Sequence, residues 1–130
     1  RNRDLPQCDT DLRSWRAENV GRTCGCLAKL ITAMKPDYLG FLTLLLEPGA
    51  PMLQEVKAGM MQLLTPAQVL EEMELFLTHV DSEGTVFRSN HASNYISLAG
   101  NLNRDIPAML EKIQKSRERD AFKNESMRRL

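Results

Sequence analysis

The chain has 130 residues, 42% of them hydrophobic, and its 17 basic side chains are balanced by 17 acidic ones. This length and composition are typical of one soluble globular domain or a piece of one. A zero net charge argues against nucleic acid or an anionic membrane as a partner, and no apolar run is long enough to span a bilayer. The polar start lacks the apolar core of a signal peptide, which predicts a cytoplasmic location, and the missing initiator Met indicates a fragment.

A first amphipathic helix is predicted over residues 14–34. Apolar residues recur there at close to helical spacing, and Pro36 disfavours helical geometry at Lys35, so the helix should end near that point. Residues 1–13 show no periodicity, and we expect them to be a disordered or artificial lead-in.

The cysteines Cys8, Cys24 and Cys26 do not match a metal or redox motif. Cys-Gly-Cys is not the C-x-x-C of zinc or thioredoxin-like sites. On a helix, two residues at this spacing lie about 200° apart, so both thiols cannot easily bind one metal ion. We interpret the cysteines as reduced thiols, one or two of them buried; a redox or metal-binding role is the alternative.

Residues 38–46 are an apolar run that favours a strand buried on both faces, as in a parallel sheet covered by helices. A buried helix is the alternative. The rigid turn at residues 47–51 contains Glu47 and Gly49 and would follow the carboxyl end of that strand. This edge of α/β sheets and barrels holds ligands, whereas a plain strand-to-helix connection needs no ligand.

Two further helices are predicted from their termini. A short helix covers residues 51–58 and ends at Gly59. The next helix starts after Thr65, which forms a capping box with Gln68 and precedes a proline at the first helical position. Its predicted apolar face consists of Val69, Leu70, Met73, Phe76, Leu77 and Val80. Its three outward glutamates, Glu71, Glu72 and Glu74, are interpreted as a solvated face rather than a metal site.

The last third of the chain has a weaker pattern. Residues 85–88 are predicted to be a short strand and residues 96–102 a loop with apolar anchors. Asp105 is expected to cap a final helix, whose alternating charges from Lys115 onward are typical of an exposed helix end. Residues 119–130 are expected to be a tail.

Residues 88–95 concentrate hydrogen-bonding side chains. These are Arg88, Ser89, Asn90, His91, Ser93, Asn94 and Tyr95. Unpaired buried polar groups are costly, so the stretch needs either water or a polar ligand around it. It is therefore either a solvated turn or part of a site.

Two of these stretches together resemble a known family. The first is an apolar strand that ends in Pro-Gly-x-Pro at residues 48–51, and the second is Phe-Arg-Ser-Asn-His-Ala-Ser-Asn-Tyr at residues 87–95. Together they look like the C-terminal part of radical S-adenosylmethionine (radical SAM) proteins of the coproporphyrinogen-oxidase-like group. The resemblance covers about residues 18–115, and it departs at Ala50, where the family usually has Thr.

The resemblance implies an α/β fold made of the last part of a partial (β/α)6 TIM-like barrel plus a helical extension. Residues 14–64 would be the last helix–strand unit of that barrel, residues 65–118 the C-terminal extension, and residues 119–130 the tail. The rest of the barrel, or a second copy of the chain, would be the partner.

The resemblance also implies an activity, namely reductive cleavage of SAM to a 5′-deoxyadenosyl radical by a parent oxidoreductase or transferase with SAM and a [4Fe-4S] cluster. This chain lacks the C-x-x-x-C-x-x-C motif that holds such a cluster and the Gly-rich SAM motif. We therefore expect it to bind neither cofactor and to be inactive alone. The alternative is a non-enzymatic α/β interaction or oligomerisation module.

Site residues are inferred from their polarity and from their position in the intact protein that the resemblance implies. Arg88, His91 and Tyr95 are the candidates for catalysis: His91 to transfer a proton or donate a hydrogen bond, and Arg88 to pair with a carboxylate. The residues expected to face substrate or SAM are Ser89, Asn90, Ser93, Asn94, Glu47 and Gly49. No residue is expected to ligate a metal.

Overall fold

The computed structural model of the chain describes the backbone of residues 20–129 and the side chains of residues 24–129. The helices are α1 (Val20–Met34), α2 (Pro51–Lys57), α3 (Pro66–His79) and α4 (Ile106–Glu118). The strands are β1 (Tyr38–Gly40), β2 (Val86–Ser89) and β3 (Leu98–Asn101), and a 3₁₀ turn, Glu125–Met127, follows α4. The prediction for residues 1–13, and for a helix start at residue 14, lies outside the described residues.

A mixed three-stranded sheet with the order β1-β2-β3 lies at the centre of the fold. β1 pairs with β2 in parallel, with Tyr38 opposite Val86. β2 pairs with β3 in the antiparallel direction, with Ser89 opposite Leu98. β2 is therefore the central strand, and β1 and β3 are edges. The predicted α/β class is confirmed, whereas nothing in the described residues identifies this three-stranded sheet as a fragment of a barrel.

The core lies between the sheet and α3, which packs against α1 and α4. Its largest fully buried apolar side chains are Phe76, Phe87, Leu70, Leu77, Leu98, Leu102 and Ile113. The rings of Phe41 and Phe76 lie 4.6 Å apart and those of Phe41 and Phe87 5.2 Å apart, within the range of favourable aromatic pairs.

α3 forms as its sequence predicts. Gln68 N donates to Thr65 Oγ1 at 3.3 Å, and Thr65 N donates to Gln68 Oε1 at 2.9 Å, so the capping box is complete. All six predicted apolar-face residues are buried. The glutamates are not uniformly outward: Glu71 is exposed, whereas Glu72 is partly buried. This burial raises the pKa of Glu72.

The prediction of a strand buried on both faces over residues 38–46 is wrong. The strand stops at Gly40, and Leu42 and Leu44 are 69% and 46% exposed. β1 is an edge strand, and among the described residues only β2 pairs with it. The Phe41 N–H still donates to Arg88 O at 2.9 Å. Beyond it, Thr43 N and Leu44 O bond to the side chains of Asn94 and Arg128 instead of to a strand.

Residues 98–101, predicted to belong to a loop, instead form β3. This strand packs closely against the start of α4: a Cβ added at Gly100 would lie only 2.7 Å from Asp105 Cβ. Asp105 occupies the N-cap position of α4, but its side chain does not bond the helix amides as predicted. Its Oδ2 accepts from Asn101 N at 2.7 Å and so joins β3 to α4.

No helix within residues 20–129 has the length and apolar character that crossing a membrane requires.

Candidate functional site

The polar loop, defined here as residues 89–95, begins at Ser89, the last residue of β2, and lies beside residues 41–46, which follow the carboxyl end of β1. The parallel pairing of β1 and β2 brings these two ends to one edge of the sheet. Asn94 joins them. Its Nδ2 donates to Phe41 O at 2.9 Å, and its Oδ1 accepts from Thr43 N at 2.7 Å and from Thr43 Oγ1 at 2.8 Å.

Asn94 is 1% exposed, and its three bonds leave at most one amide N–H for another partner. The structure therefore gives this residue a positioning role: it holds residues 41–43 against the polar loop. The neighbouring Ser93 is also 1% exposed.

His91 is exposed on the polar loop, with Nδ1 3.0 Å from Ser93 Oγ. Ser93 N donates to the same nitrogen at 3.2 Å. Nδ1 is therefore an acceptor, and the proton of the neutral ring belongs on Nε2. An exposed imidazole with a fixed tautomer can donate a hydrogen bond or a proton from Nε2.

Arg88 and Ser89 turn back into the protein. Arg88 Nη1 donates to Phe87 O at 2.8 Å and to Gly100 O at 3.3 Å, which holds the guanidinium against the sheet. Ser89 is 0% exposed, and its hydroxyl is the one buried side-chain polar atom, among those the structure describes, without a hydrogen-bond partner. Asn90 is exposed.

The turn at residues 47–51 is exposed, with Ala50 N donating to Glu47 O at 3.1 Å and Gly49 in a left-handed conformation at φ +93°. Gly49 is suited to that conformation because it lacks a Cβ. Across residues 24–129, no hydrogen bond joins this turn to the polar loop. Glu47 and Gly49 also do not line the groove described next, so the structure does not bring them together with the polar loop.

An apolar groove of about 590 Å³ runs along residues 39–46. Leu46 and Leu53 are among the residues that line it, and so are Tyr95 and Arg128. An apolar cavity with a few convergent polar groups is the usual form of a ligand site. The groove is therefore lined by residues 41–46 and, from the polar loop, by Tyr95.

Sequence reasoning missed Glu125 and Arg128, which complete the environment of Tyr95. The Tyr95 hydroxyl donates to Glu125 Oε1, and Arg128 Nη1 donates to the Tyr95 oxygen at 2.8 Å. Burial, followed by the bond to Glu125, raises the pKa of Tyr95 to about 12. The bond from Tyr95 is also the main cause that lowers the pKa of Glu125. No local signal in the sequence links residues 33 positions apart.

The described residues do not fit a [4Fe-4S] cluster. Within residues 24–129, no group of three His, Cys, Asp or Glu side chains converges on one point. Cys24 is 2% exposed, and burial together with Glu72 raises its pKa to about 12, so the thiol is neutral rather than a ligating thiolate. Cys26 is partly exposed. Cys8 lies outside the described residues.

Comparison with known proteins identified no relative: no family model, no curated protein and no solved structure matches the chain.

Proposed function

We propose that this chain is the C-terminal segment of a radical SAM enzyme and supplies a polar loop at the mouth of the parent's active site. The proposal begins from the resemblance carried by residues 48–51 and 87–95. The cluster and its radical chemistry would belong to other parts of the parent protein, because the residues described here do not suit it.

The observation that carries the proposal is the contact between two distant stretches. Residues 41–43 and Asn94 are more than 50 positions apart, yet three hydrogen bonds join them. They meet at the carboxyl ends of parallel strands, the edge where α/β enzymes hold their ligands. A solvated turn would not require a buried asparagine to connect it to the neighbouring strand end.

The arrangement divides the polar residues by role. Ser93 and Asn94 are buried and position the loop, and Arg88 is bound to backbone carbonyls of the sheet. Asn90 and His91 are exposed and available to a ligand. His91, with Nδ1 already accepting, is the residue best suited to donate from Nε2 to a substrate.

The test compares the two histidines of the chain in the intact parent enzyme. His91→Ala should lower turnover by about 10²-fold or more, the usual contribution of a proton-transferring residue, with iron and sulfide content unchanged. His79→Ala is the matched control, since His79 is exposed at the end of α3 and its Nδ1 contacts Leu75 O at 2.7 Å, outside the polar loop.

Two results would contradict the proposal. Equal turnover in both variants would remove His91 from the site. A parent whose reading frame lacks C-x-x-x-C-x-x-C, or that forms no 5′-deoxyadenosine from SAM under a one-electron reductant, would remove the radical SAM assignment itself.

A non-enzymatic interaction or oligomerisation module is the second candidate, and a different observation favours it. One edge of β1 has no partner strand among the described residues. Tyr38 in β1 and Leu42 just after it are 62% and 69% exposed. Open strand edges and exposed apolar patches promote association. Light scattering after size-exclusion chromatography tests this candidate: a monomer at high concentration would count against it.

A further inference from the structure

Residues 121–129, called here the C-terminal strap, cross the polar loop and are bonded to it. Lys123 N donates to Tyr95 O at 2.8 Å, and Arg129 N donates to Ala92 O at 3.3 Å. Lys123 Nζ also donates to Ala92 O, at 3.2 Å. The strap is thus attached along the loop and not only at its start.

Arg128 is the strongest attachment. Its guanidinium donates to Ser93 O at 2.6 Å, to the Tyr95 hydroxyl at 2.8 Å and to Leu44 O at 2.8 Å, and pairs with Glu125 Oε2 at 2.7 Å. Only 4% of its side chain is exposed. One residue therefore binds the strap, the polar loop and the segment after β1 together.

Tyr95 is covered as a result. The Arg128 guanidinium carbon lies 4.2 Å from the centre of the Tyr95 ring, a cation–π distance. The Tyr95 hydroxyl donates to Glu125 and accepts from Arg128, so both of its hydrogen-bonding roles are filled. Tyr95 is 5% exposed. A ligand that uses the Tyr95 hydroxyl must first displace the strap.

The strap has little apolar surface to hold it closed. The 3₁₀ turn Glu125–Met127 has no buried residue, and Met127 is 64% exposed. Phe122 is the apolar strap residue that packs, partly buried, against the core. α3, by contrast, buries five residues. Segments with few buried apolar contacts open at lower free energy than the core.

We propose that the C-terminal strap is a cover that detaches from the polar loop in one cooperative step, in which the loop also loosens while the helical core stays folded, and that Arg128 is its fastening residue. Closed, the strap blocks Tyr95; open, it exposes Tyr95 and the part of the apolar groove that Tyr95 and Arg128 line. The proposal goes beyond the radical SAM assignment and is independent of it, because it concerns the motion of residues within this chain.

Native-state hydrogen exchange of the full 130-residue chain tests the motion. The amides of Lys123, Arg129 and Asn94, which all bond within the strap and loop, should share one opening constant, larger than that of the α3 amides. Arg128→Lys should raise that shared constant by about tenfold or more, since one ammonium group cannot reach all four partners of the guanidinium. Arg129→Lys, the same change at the exposed neighbouring position, should leave it unchanged.

Nitration of tyrosine by tetranitromethane gives a second measurement. The chain has two tyrosines, and Tyr38, 62% exposed, should react in every variant as an internal control. Tyr95 should be protected in the unaltered chain and react faster in Arg128→Lys. Glu125→Gln, a milder change in a side chain that is 61% exposed, should act in the same direction by a smaller factor.

Three results would overturn the proposal. One is unaltered exchange and nitration in Arg128→Lys. Another is faster exchange in the strap without a change at Asn94, which would mean that strap and loop open separately. The third is an equal loss of protection in α3, which would make the strap part of the cooperative core.

Discussion

Replacing Asn94 by Ala should destabilise the fold, because Asn94 joins the polar loop to the residues after β1. The substitution removes the Nδ2 donor and the Oδ1 acceptor, which accepts two hydrogen bonds, from a side chain that is 1% exposed. Phe41 O and Thr43 N would lose their partners in a partly buried position, where alanine is too short to replace them.

The size of the effect follows from the groups left unpaired. A buried donor or acceptor without a partner costs about 1–3 kcal/mol. Two backbone groups are affected, and because Thr43 is only partly buried, water would offset some of the loss. We expect the free energy of unfolding to fall by about 2–4 kcal/mol, a large share of the ~5–15 kcal/mol of an ordinary domain.

Urea denaturation followed by far-ultraviolet circular dichroism would measure this loss. Asn90→Ala is the matched control: it is the same substitution in the same loop, but Asn90 is exposed, so the change should stay within about 0.5 kcal/mol. Equal midpoints for the two variants, at equal denaturant slope, would refute the claim that Asn94 holds the strand ends together.

Two further substitutions test packing and the unpaired hydroxyl by the same unfolding measurement. Gly100→Ala should lower the free energy of unfolding by about 1–3 kcal/mol, because the new Cβ would lie 2.7 Å from Asp105 Cβ. Gly25→Ala, within α1 and with open space around it, should raise the free energy of unfolding by about 0.5–1 kcal/mol. The reverse order would show that β3 and α4 are not in close contact. Ser89→Ala should stabilise the chain by about 1 kcal/mol, since it removes a buried hydroxyl without a partner, and a loss of stability would mean that the hydroxyl has a partner after all.

The helices were predictable because their signals are local. The capping box of Thr65 and Gln68 and the six apolar positions of α3 are contained within 16 residues, and the structure has all of them. The left-handed Gly59, at φ +74°, ends the short helix that was predicted over residues 51–58. Propensity and periodicity act over a few turns of chain, so sequence reasoning is reliable at that range.

The candidate site was only partly predictable. The sequence drew attention to residues 88–95 by their polarity, but polarity does not distinguish a side chain that contacts ligand from one that supports the backbone. Asn94 and Ser93 are buried, and His91 and Asn90 are exposed, although all four look alike in composition. Which of them faces outward depends on how the loop packs against residues 41–44.

The sequence by itself determined the α/β class, the capped and amphipathic helices, and the location of the polar loop. The tertiary structure decided that the apolar run after Tyr38 lies at a sheet edge, that residues 98–101 form a strand, and that Arg128 covers Tyr95. The physical reason is that each of these three features is set by a partner far away in sequence. Leu44 is 84 positions from Arg128, for example, and no periodicity in either segment records the hydrogen bond between them.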